Sequence, residues 1–119
     1  MPRGQSSFLN GIPELVVLRL LSQREMYGYE IVQALTRQTS GLLELGQSTL
    51  YPMLYNLEAK GLIEASWRDS DAGRERKYYT LTKKGKNRLA SDTEQWRSVA
   101  TAMRALGILP ATFGTEVLA

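Results

Sequence analysis

The sequence predicts a mainly α-helical fold with a small β-hairpin: a winged helix-turn-helix followed by a long C-terminal dimerisation helix. Residues 47–82 carry most of the evidence, because they read as a short helix, a glycine break and two strands joined by a charged tip. A helix followed directly by a basic hairpin is how winged helix-turn-helix domains meet DNA. The second observation is a heptad pattern in residues 83–109, which is typical of a helix that pairs with another helix.

The domain organisation follows from these two segments. We expect a DNA-binding domain in residues 1–82, a dimerisation helix in residues 83–109 and a tail in residues 110–119. A chain of 119 residues can bury one modest core. The apolar run from residue 8 to residue 21 predicts a first helix that is buried on more than one face and becomes regular near Ile12. A second helix is expected from about residue 28 to residue 39.

The third helix is the predicted DNA-reading helix. It should begin near Ser48 or Thr49, either of which can cap it. A start earlier than Ser48 is disfavoured, because Pro52 is tolerable only in the first helical turn. Its expected inner stripe is Leu50, Met53, Leu54 and Leu57, and Gly61 is expected to close it. Residues 42–45, which precede it, read as a short apolar link or a minor strand.

The hairpin follows this helix. Apolar and polar residues alternate from residue 63 to residue 68, which predicts a strand with one buried face, and residues 76–81 are its expected partner. Trp67 is expected in the core. Of Tyr78 and Tyr79, one should lie in the core and the other should be half exposed.

The last helix is expected to run to residue 109, just before Pro110, with an apolar stripe at heptad spacing. A domain of about 80 residues cannot cover so long a stripe, so the same helix of a second subunit is the most economical partner. The expected dimer interface comprises Phe8, Leu89, Trp96, Val99, Met103 and Leu106.

Composition excludes much chemistry. The chain has no His and no Cys, so a Ser-His-Asp triad, a thiolate nucleophile and the usual zinc sites are impossible. Gly-rich phosphate-binding loops are also missing. We therefore expect a protein that is not an enzyme and has no catalytic residue, metal or cofactor. The lack of Cys, of a signal peptide and of a long apolar run favours a cytoplasmic protein with no membrane partner.

Positive charge is concentrated where DNA contact is predicted. The net charge is only +3, but residues 60–88 hold nine Lys or Arg and four acidic residues, against six and eight elsewhere. The third helix offers polar groups that pair with bases, and the hairpin offers cations for phosphates. The candidate DNA-binding residues are Tyr29, Gln47, Ser48, Thr49, Tyr51, Tyr55, Asn56, Arg74, Arg76 and Lys77.

Four stretches resemble the PadR family of bacterial transcriptional regulators: residues 27–31 (YGYEI), 49–54 (TLYPML), 57–63 (LEAKGLI) and 76–82 (RKYYTLT). The resemblance covers about residues 8–108, and the single C-terminal helix is similar to that of the short subfamily. It implies a homodimer that binds a roughly palindromic operator in double-stranded DNA, often represses a neighbouring gene and releases DNA when a small molecule binds. One departure is Tyr27, where the family often has His.

The resemblance also suggests a ligand site. Drug-sensing relatives hold flat aromatic molecules between paired indoles, and Trp96 lies on the heptad stripe. Interface packing is the simpler role for this residue. If the slot exists, its candidate residues are Glu14, Leu15, Leu89, Asp92, Thr93 and Trp96. Two carboxylates in that set favour a planar aromatic molecule that is cationic.

Two other functions stay open on the sequence alone. The chain is compatible with a dimeric small-molecule-binding module without specific DNA binding, and with a winged-helix protein-interaction adaptor. The asymmetric charge favours DNA over both.

Overall fold

The structure is a computed structural model that describes residues 11–69 and 73–111. Within those residues the helices and strands follow in the order α1 Ile12–Gln23, β1 Met26–Tyr27, α2 Gly28–Gln38, α3 Gln47–Ala59, β2 Ile63–Asp69, β3 Glu75–Leu81 and α4 Lys83–Ala105. The predicted fold class, mainly helical with a small sheet and a long last helix, is confirmed.

The first three helices share one apolar core. Leu18 of α1, Ile31 of α2 and Leu54 of α3 have no exposed surface. Burial of such a side chain contributes roughly 1.5–3 kcal/mol to folding. Leu50 and Leu57 are equally buried, which confirms the predicted inner stripe of α3. Because this stripe is anchored in the core, the opposite face of α3 lies at the surface.

The sheet has three antiparallel strands in the order β1-β3-β2. In β1, Tyr27 pairs with Tyr78 of β3, and Ser66 of β2 pairs with Tyr78 from the other side. The minor strand is therefore β1, whereas residues 42–45 form no strand. A strand of two residues is too short to show an alternating pattern, and it is defined only by its hydrogen bonds to a distant partner.

The start of α3 differs from the prediction by one residue. Gly46 is the residue before the first helical position and no side chain caps the helix. The backbone N–H groups of Thr49 and Leu50 donate to the carbonyl of Gly46. Pro52 is thus the sixth helical residue, beyond the first turn. Its missing N–H deprives the carbonyl of Ser48 of a helical donor, and Ser48 is exposed, so water can satisfy that carbonyl.

The buried face of β2 does not extend to Trp67. Ile63 is buried and Ala65 is half-buried, but Trp67 is 63% exposed. The prediction of a core tryptophan was wrong because strand alternation defines the face of a side chain and not its depth. The far half of the hairpin extends beyond the core as a wing. Tyr79 is buried and Tyr78 half-buried, as predicted.

The last helix is shorter than predicted. It ends at Ala105, and Gly107 follows with a φ of 81°. The N–H of Gly107 donates to the carbonyl of Arg104, and that of Ile108 to Met103, which is the usual closure around a left-handed glycine. Leu106 therefore lies beyond the helix that was expected to carry it.

The end of α3 and the start of α4 form a tight joint, which comprises residues 60–62 and 82–85. The Thr82 hydroxyl donates to the carbonyl of Gly61 at 2.7 Å, and the Thr82 N–H donates to the carbonyl of Leu62 at 3.1 Å. The Lys84 ammonium donates to the carbonyl of Lys60 at 2.9 Å. These bonds satisfy the backbone carbonyls of the turn that follows α3.

The described residues fall into two compact units, one ending at Leu89 and the other beginning at Ala90, and α4 contributes to both. Residues 11–69 and 73–111 contain no helix that combines the length and the apolar character of a membrane span.

Candidate nucleic-acid interface

The outward face of α3 presents the predicted base-reading residues together. All six are exposed, and they are Gln47, Ser48, Thr49, Tyr51, Tyr55 and Asn56. The helix contains no Lys or Arg and one acidic residue, Glu58. An exposed helix face of amides, hydroxyls and phenols can read base edges through hydrogen bonds, but it cannot neutralise phosphates.

The start of α2 lies against this face. A Cβ added to Gly28 would lie 2.6 Å from the Tyr51 hydroxyl oxygen, so only glycine lets the Tyr51 ring approach so closely. Tyr29 is 49% exposed at the second position of α2. The Tyr27 N–H donates to the Glu30 carboxylate at 3.1 Å, which satisfies one free donor at this helix start.

The wing cations are held by contacts within the domain. Arg68 of β2 makes a two-pronged ion pair with Glu25, and its guanidinium lies 5.0 Å from the centre of the Tyr78 ring. The hydrogen bonds that Arg68 donates to the Glu25 carboxylate raise the pKa of Arg68. Arg76 of β3 lies 4.4 Å from the centre of the Tyr27 ring. These contacts orient the guanidinium groups of Arg68 and Arg76.

The two tyrosine rings connect these cations. Tyr27 and Tyr78 pack edge to face, with their centres 5.4 Å apart. Arg76, Tyr27, Tyr78 and Arg68 thus form a continuous row of cation–π and ring contacts across the sheet. Each contact of this kind contributes on the order of 0.5–1 kcal/mol at an exposed site. Tyr27 supplies the ring beneath Arg76.

Lys77 connects the wing to α3. Its ammonium lies 3.2 Å from the Glu58 carboxylate and 5.5 Å from the centre of the Tyr79 ring. The hydrogen bond to Glu58 raises the pKa of Lys77. Burial raises the pKa of the Tyr79 phenol, so this ring stays neutral at physiological pH. Arg74 is exposed just before β3.

Comparisons of the sequence and the fold with known proteins identify the family of the chain. The profile of the "Transcriptional regulator PadR-like family" matches residues 17–91. A protein of Lysinibacillus sphaericus is 35% identical over 95 residues, which cover 80% of this chain and 87% of that protein. The chain belongs to the PadR-like family of transcriptional regulators.

Two further relatives support the assignment. A crystal structure of a PadR-like transcriptional regulator from Bacillus cereus superimposes with a TM-score of 0.71 and 32% identity, over 84% of this chain and 95% of that one. The transcriptional regulator YqjI of Escherichia coli is 30% identical over 87% of this chain. The chain spans 48% of the length of YqjI. Members of this family are regulators of transcription and not enzymes.

Sequence patterns did not identify Glu58 as part of this PadR-like surface. Glu58 lies one turn beyond Tyr55, and Tyr51, Tyr55 and Glu58 share one helix face at i, i+4 and i+7 spacing. That spacing was sufficient to place Glu58 near the base-reading face. Its pairing with Lys77 joins residues 19 positions apart, and a local pattern does not show such a contact.

The predicted ligand set has one member whose charge is already balanced. Glu14 accepts from Lys60 at 3.1 Å and from Arg88 at 3.0 Å, and so connects α1, the end of α3 and the start of α4. Burial alone raises the pKa of the Glu14 carboxyl, but the two cations outweigh it and leave the pKa below 4.5, its ordinary value. A cationic ligand would therefore have to compete with Lys60 and Arg88 for Glu14.

We expect Glu14→Gln to lower the free energy of unfolding by about 1 kcal/mol at pH 7, because two charge-assisted hydrogen bonds are weakened. The folded-state pKa of Glu14 is depressed, so this stability is present above pH 4.5 and is lost as pH falls through the folded value. Urea unfolding at fixed protomer concentration from pH 7 to about pH 3 measures it. The two proteins should converge towards the acid end, and a constant difference across the range would contradict the assignment. Glu94→Gln, in an exposed pair with Arg97, is the control.

The other predicted ligand and dimer residues are distributed along the chain. Leu15 is half-buried in α1, and Leu89 packs against the core of the first unit. Four further positions of these two sets lie on the part of α4 in the second unit and are half-buried: Asp92, Thr93, Trp96 and Val99. Met103 is also half-buried, Leu106 is 72% exposed after the helix, and Phe8 lies outside the described residues.

Proposed function

We propose that this PadR-like regulator is a homodimeric, sequence-specific DNA-binding repressor that acts in the cytoplasm. The observation that carries the proposal is the exposed face of α3, which has no Lys or Arg, beside a wing whose cations are oriented by Glu25, Tyr27 and Glu58. In this proposal, α3 reads bases and the wing holds phosphates. Residues 1–82 form the DNA-binding domain, residues 83–109 the dimerisation segment and residues 110–119 a tail.

Fluorescence anisotropy with labelled duplexes tests the proposal. We expect the protein to prefer the promoter of its own gene over random DNA by a factor on the order of 10³ or more. The logarithm of the association constant should fall steeply and linearly with the logarithm of the salt concentration, because phosphate contacts release counterions. Equal and weak binding to both duplexes would favour the ligand-binding module or the protein-interaction adaptor instead.

Dimerisation rests on the apolar stripe of α4. Trp96, Val99 and Met103 repeat at heptad spacing on this helix. A two-fold dimer should bind half-sites centred one helical turn of DNA apart or a multiple of it, roughly 34–36 Å per turn, in a palindromic operator. Light scattering at micromolar concentration should give twice the mass of the 13.4 kDa chain, and a monomer would contradict this proposal.

Release of DNA by a small molecule is the second part of the proposal, and it rests on Trp96. Two Trp96 side chains near a two-fold axis would leave a slot for a planar aromatic molecule. Tryptophan fluorescence titrated with a planar cationic dye tests the slot. We expect saturable quenching that Trp96→Ala abolishes. Equal quenching in the variant and the wild type would eliminate the slot and leave the DNA-binding proposal intact.

We expect Asn56→Ala to reduce discrimination between the operator and random DNA by about 1–3 kcal/mol, because a side-chain amide can pair with a base in two places at once. Operator affinity should fall while affinity for random DNA and the salt dependence stay nearly unchanged. Anisotropy with both duplexes measures the two constants. Asn87→Ala removes an exposed amide of the same size from α4 and should change neither. Equal losses on both duplexes would show that Asn56 contacts the backbone.

A further inference from the structure

One carboxylate connects α1, the end of α3 and the start of α4. Glu14, in the first turn of α1, accepts from Lys60 with one oxygen at 3.1 Å and from Arg88 with the other at 3.0 Å. Lys60 directly follows α3, and Arg88 lies in the second turn of α4. The Glu14 side chain is only 19% exposed, so salt screens these ion pairs less than pairs at the open surface. We call these three residues the Glu14 clamp.

The clamp adds to the joint between α3 and α4. At that joint the Lys84 ammonium donates to the Lys60 carbonyl, so Lys60 is held through its backbone as well as its side chain. Gly85 packs so closely against the Leu62 carbonyl that a Cβ would not fit. The joint therefore fixes the point at which α3 and α4 meet. The clamp attaches α4 again one turn farther along, at Arg88, and two points of attachment define the direction of a helix as well as its position.

A small change in that direction has a large effect at the far end of α4. The helix extends from Arg88 to Ala105, a length of roughly 25 Å at ~1.5 Å per residue. A rotation of about 10° at Arg88 would move the end of such a helix by about 4 Å. This displacement is comparable to the ~3.4 Å step between neighbouring base pairs of DNA. Since the proposed dimer stripe lies on this helix, the direction of α4 affects how far apart the two α3 helices of a dimer lie.

We propose that Glu14 is a positioning residue for operator recognition, which holds α4 at one angle to α3 and so sets the half-site spacing that the dimer accepts. Glu14 acts through Lys60 and Arg88 and does not contact DNA itself. The inference rests on the proposed function, because it needs a dimer that reads two half-sites. A role in stability alone would reduce the amount of folded protein and leave the preferred spacing unchanged.

The first test compares operator duplexes that differ only in half-site spacing. Footprinting of the wild type on the promoter of its own gene locates the two half-sites, and anisotropy then measures duplexes with one inserted base pair or with a single half-site. We expect the insertion to weaken wild-type binding at least about tenfold and Glu14→Gln binding about threefold or less. Single half-site affinity should stay within about twofold, because Glu14 is distant from the base-reading face. An insertion penalty that is equal in both proteins would overturn the proposal.

Four further variants show whether the effect belongs to the clamp. Lys60→Gln and Arg88→Gln each remove one ion pair and should also reduce the insertion penalty. Val17→Ala removes buried methyl groups from α1 and lowers stability without changing the clamp, so its penalty should match that of the wild type. Glu94→Gln changes an exposed ion pair on α4 and should match the wild type too. A reduced penalty in Val17→Ala would assign the effect to stability and overturn the proposal.

A second measurement needs no DNA. The chain contains no Cys, so Gln47→Cys provides one spin-label site per protomer, at the start of α3. Double electron–electron resonance then gives the distribution of distances between the two α3 helices of the dimer. We expect this distribution to be wider by about 2–4 Å when Glu14→Gln is added, and unchanged when Glu94→Gln is added. Equal widths would overturn the proposal. A monomeric wild type, or one that does not bind its promoter, would instead overturn the proposed function on which the inference rests.

Discussion

Gly85→Ala is expected to lower the free energy of unfolding by about 2–3 kcal/mol, although alanine is the better helix former by about 1 kcal/mol. Gly85 is the buried residue at the start of α4. A Cβ there would overlap the carbonyl oxygen of Leu62 and would lie 2.7 Å from Leu81 Cδ1. The main obstacle is backbone, which cannot rotate away as a flexible side chain would. The joint between α3 and α4 must therefore open.

The measurement is urea unfolding followed by circular dichroism, at one protomer concentration because the proposed dimerisation would affect apparent stability. Lys86→Ala and Asn87→Ala are neighbouring exposed changes and should shift the unfolding free energy by less than about 0.5 kcal/mol. An unchanged midpoint for Gly85→Ala would show that the joint is loose. A loosened joint should also weaken operator binding, because Thr82 and Lys84 hold the carbonyl end of α3.

The sequence predicted those elements whose signals are local and repeated. The inner stripe of α3, the glycine that follows it and the pair of wing strands all came from spacing or from turn residues. The end of α4 was missed although its signal was present. Gly107 followed by Ile108 is a common helix stop, whereas the prediction places the end of the helix at residue 109, just before Pro110.

The candidate site was predictable only in part. Residue types and helix spacing were enough to place Tyr51, Tyr55 and Asn56 on one exposed face. The contacts that orient the wing could not be predicted from the sequence, because the paired residues Arg68 and Glu25 are 43 positions apart. The exposure of Trp67 could not be predicted from the sequence either, since it depends on how far the hairpin extends beyond the core.

The partners of the wing cations have a consequence for DNA affinity. An exposed ion pair is worth about 0.2–1 kcal/mol, so the Glu58 carboxylate orients Lys77 without holding it firmly. When a DNA phosphate pairs with Lys77, the Glu58 carboxylate loses its partner and must attract a cation from solution. Lys77 therefore gives less counterion release than Arg76, whose partner Tyr27 is neutral. We infer that Arg76 is the stronger phosphate contact of the two.

The double variant Arg76→Gln/Lys77→Gln is expected to weaken operator binding by on the order of 10²-fold or more at about 0.1 M salt. A dimer loses four cations per complex, so the slope of log K against log salt should flatten by roughly 2–4. Affinity for random DNA should fall similarly, because phosphates carry no sequence information. Anisotropy at several salt concentrations measures all three quantities. Arg19→Gln/Arg37→Gln removes the same charge from exposed positions on α1 and α2 and should leave the slope within about one unit.

Glu58→Gln is expected to change DNA affinity in the opposite direction, through the ion pair between Glu58 and Lys77. It leaves Lys77 without its carboxylate partner, so affinity for all duplexes should rise two- to tenfold at about 0.1 M salt and the slope should steepen. The rise requires Lys77, so Glu58→Gln should have little effect when Lys77→Gln is already present. A similar gain in both backgrounds would mean that Glu58 repels phosphate directly and that Lys77 does not contact DNA. If nonspecific binding gains as much as operator binding, Glu58 limits the attraction of the wing for DNA, as we propose, and leaves the choice of sequence to α3.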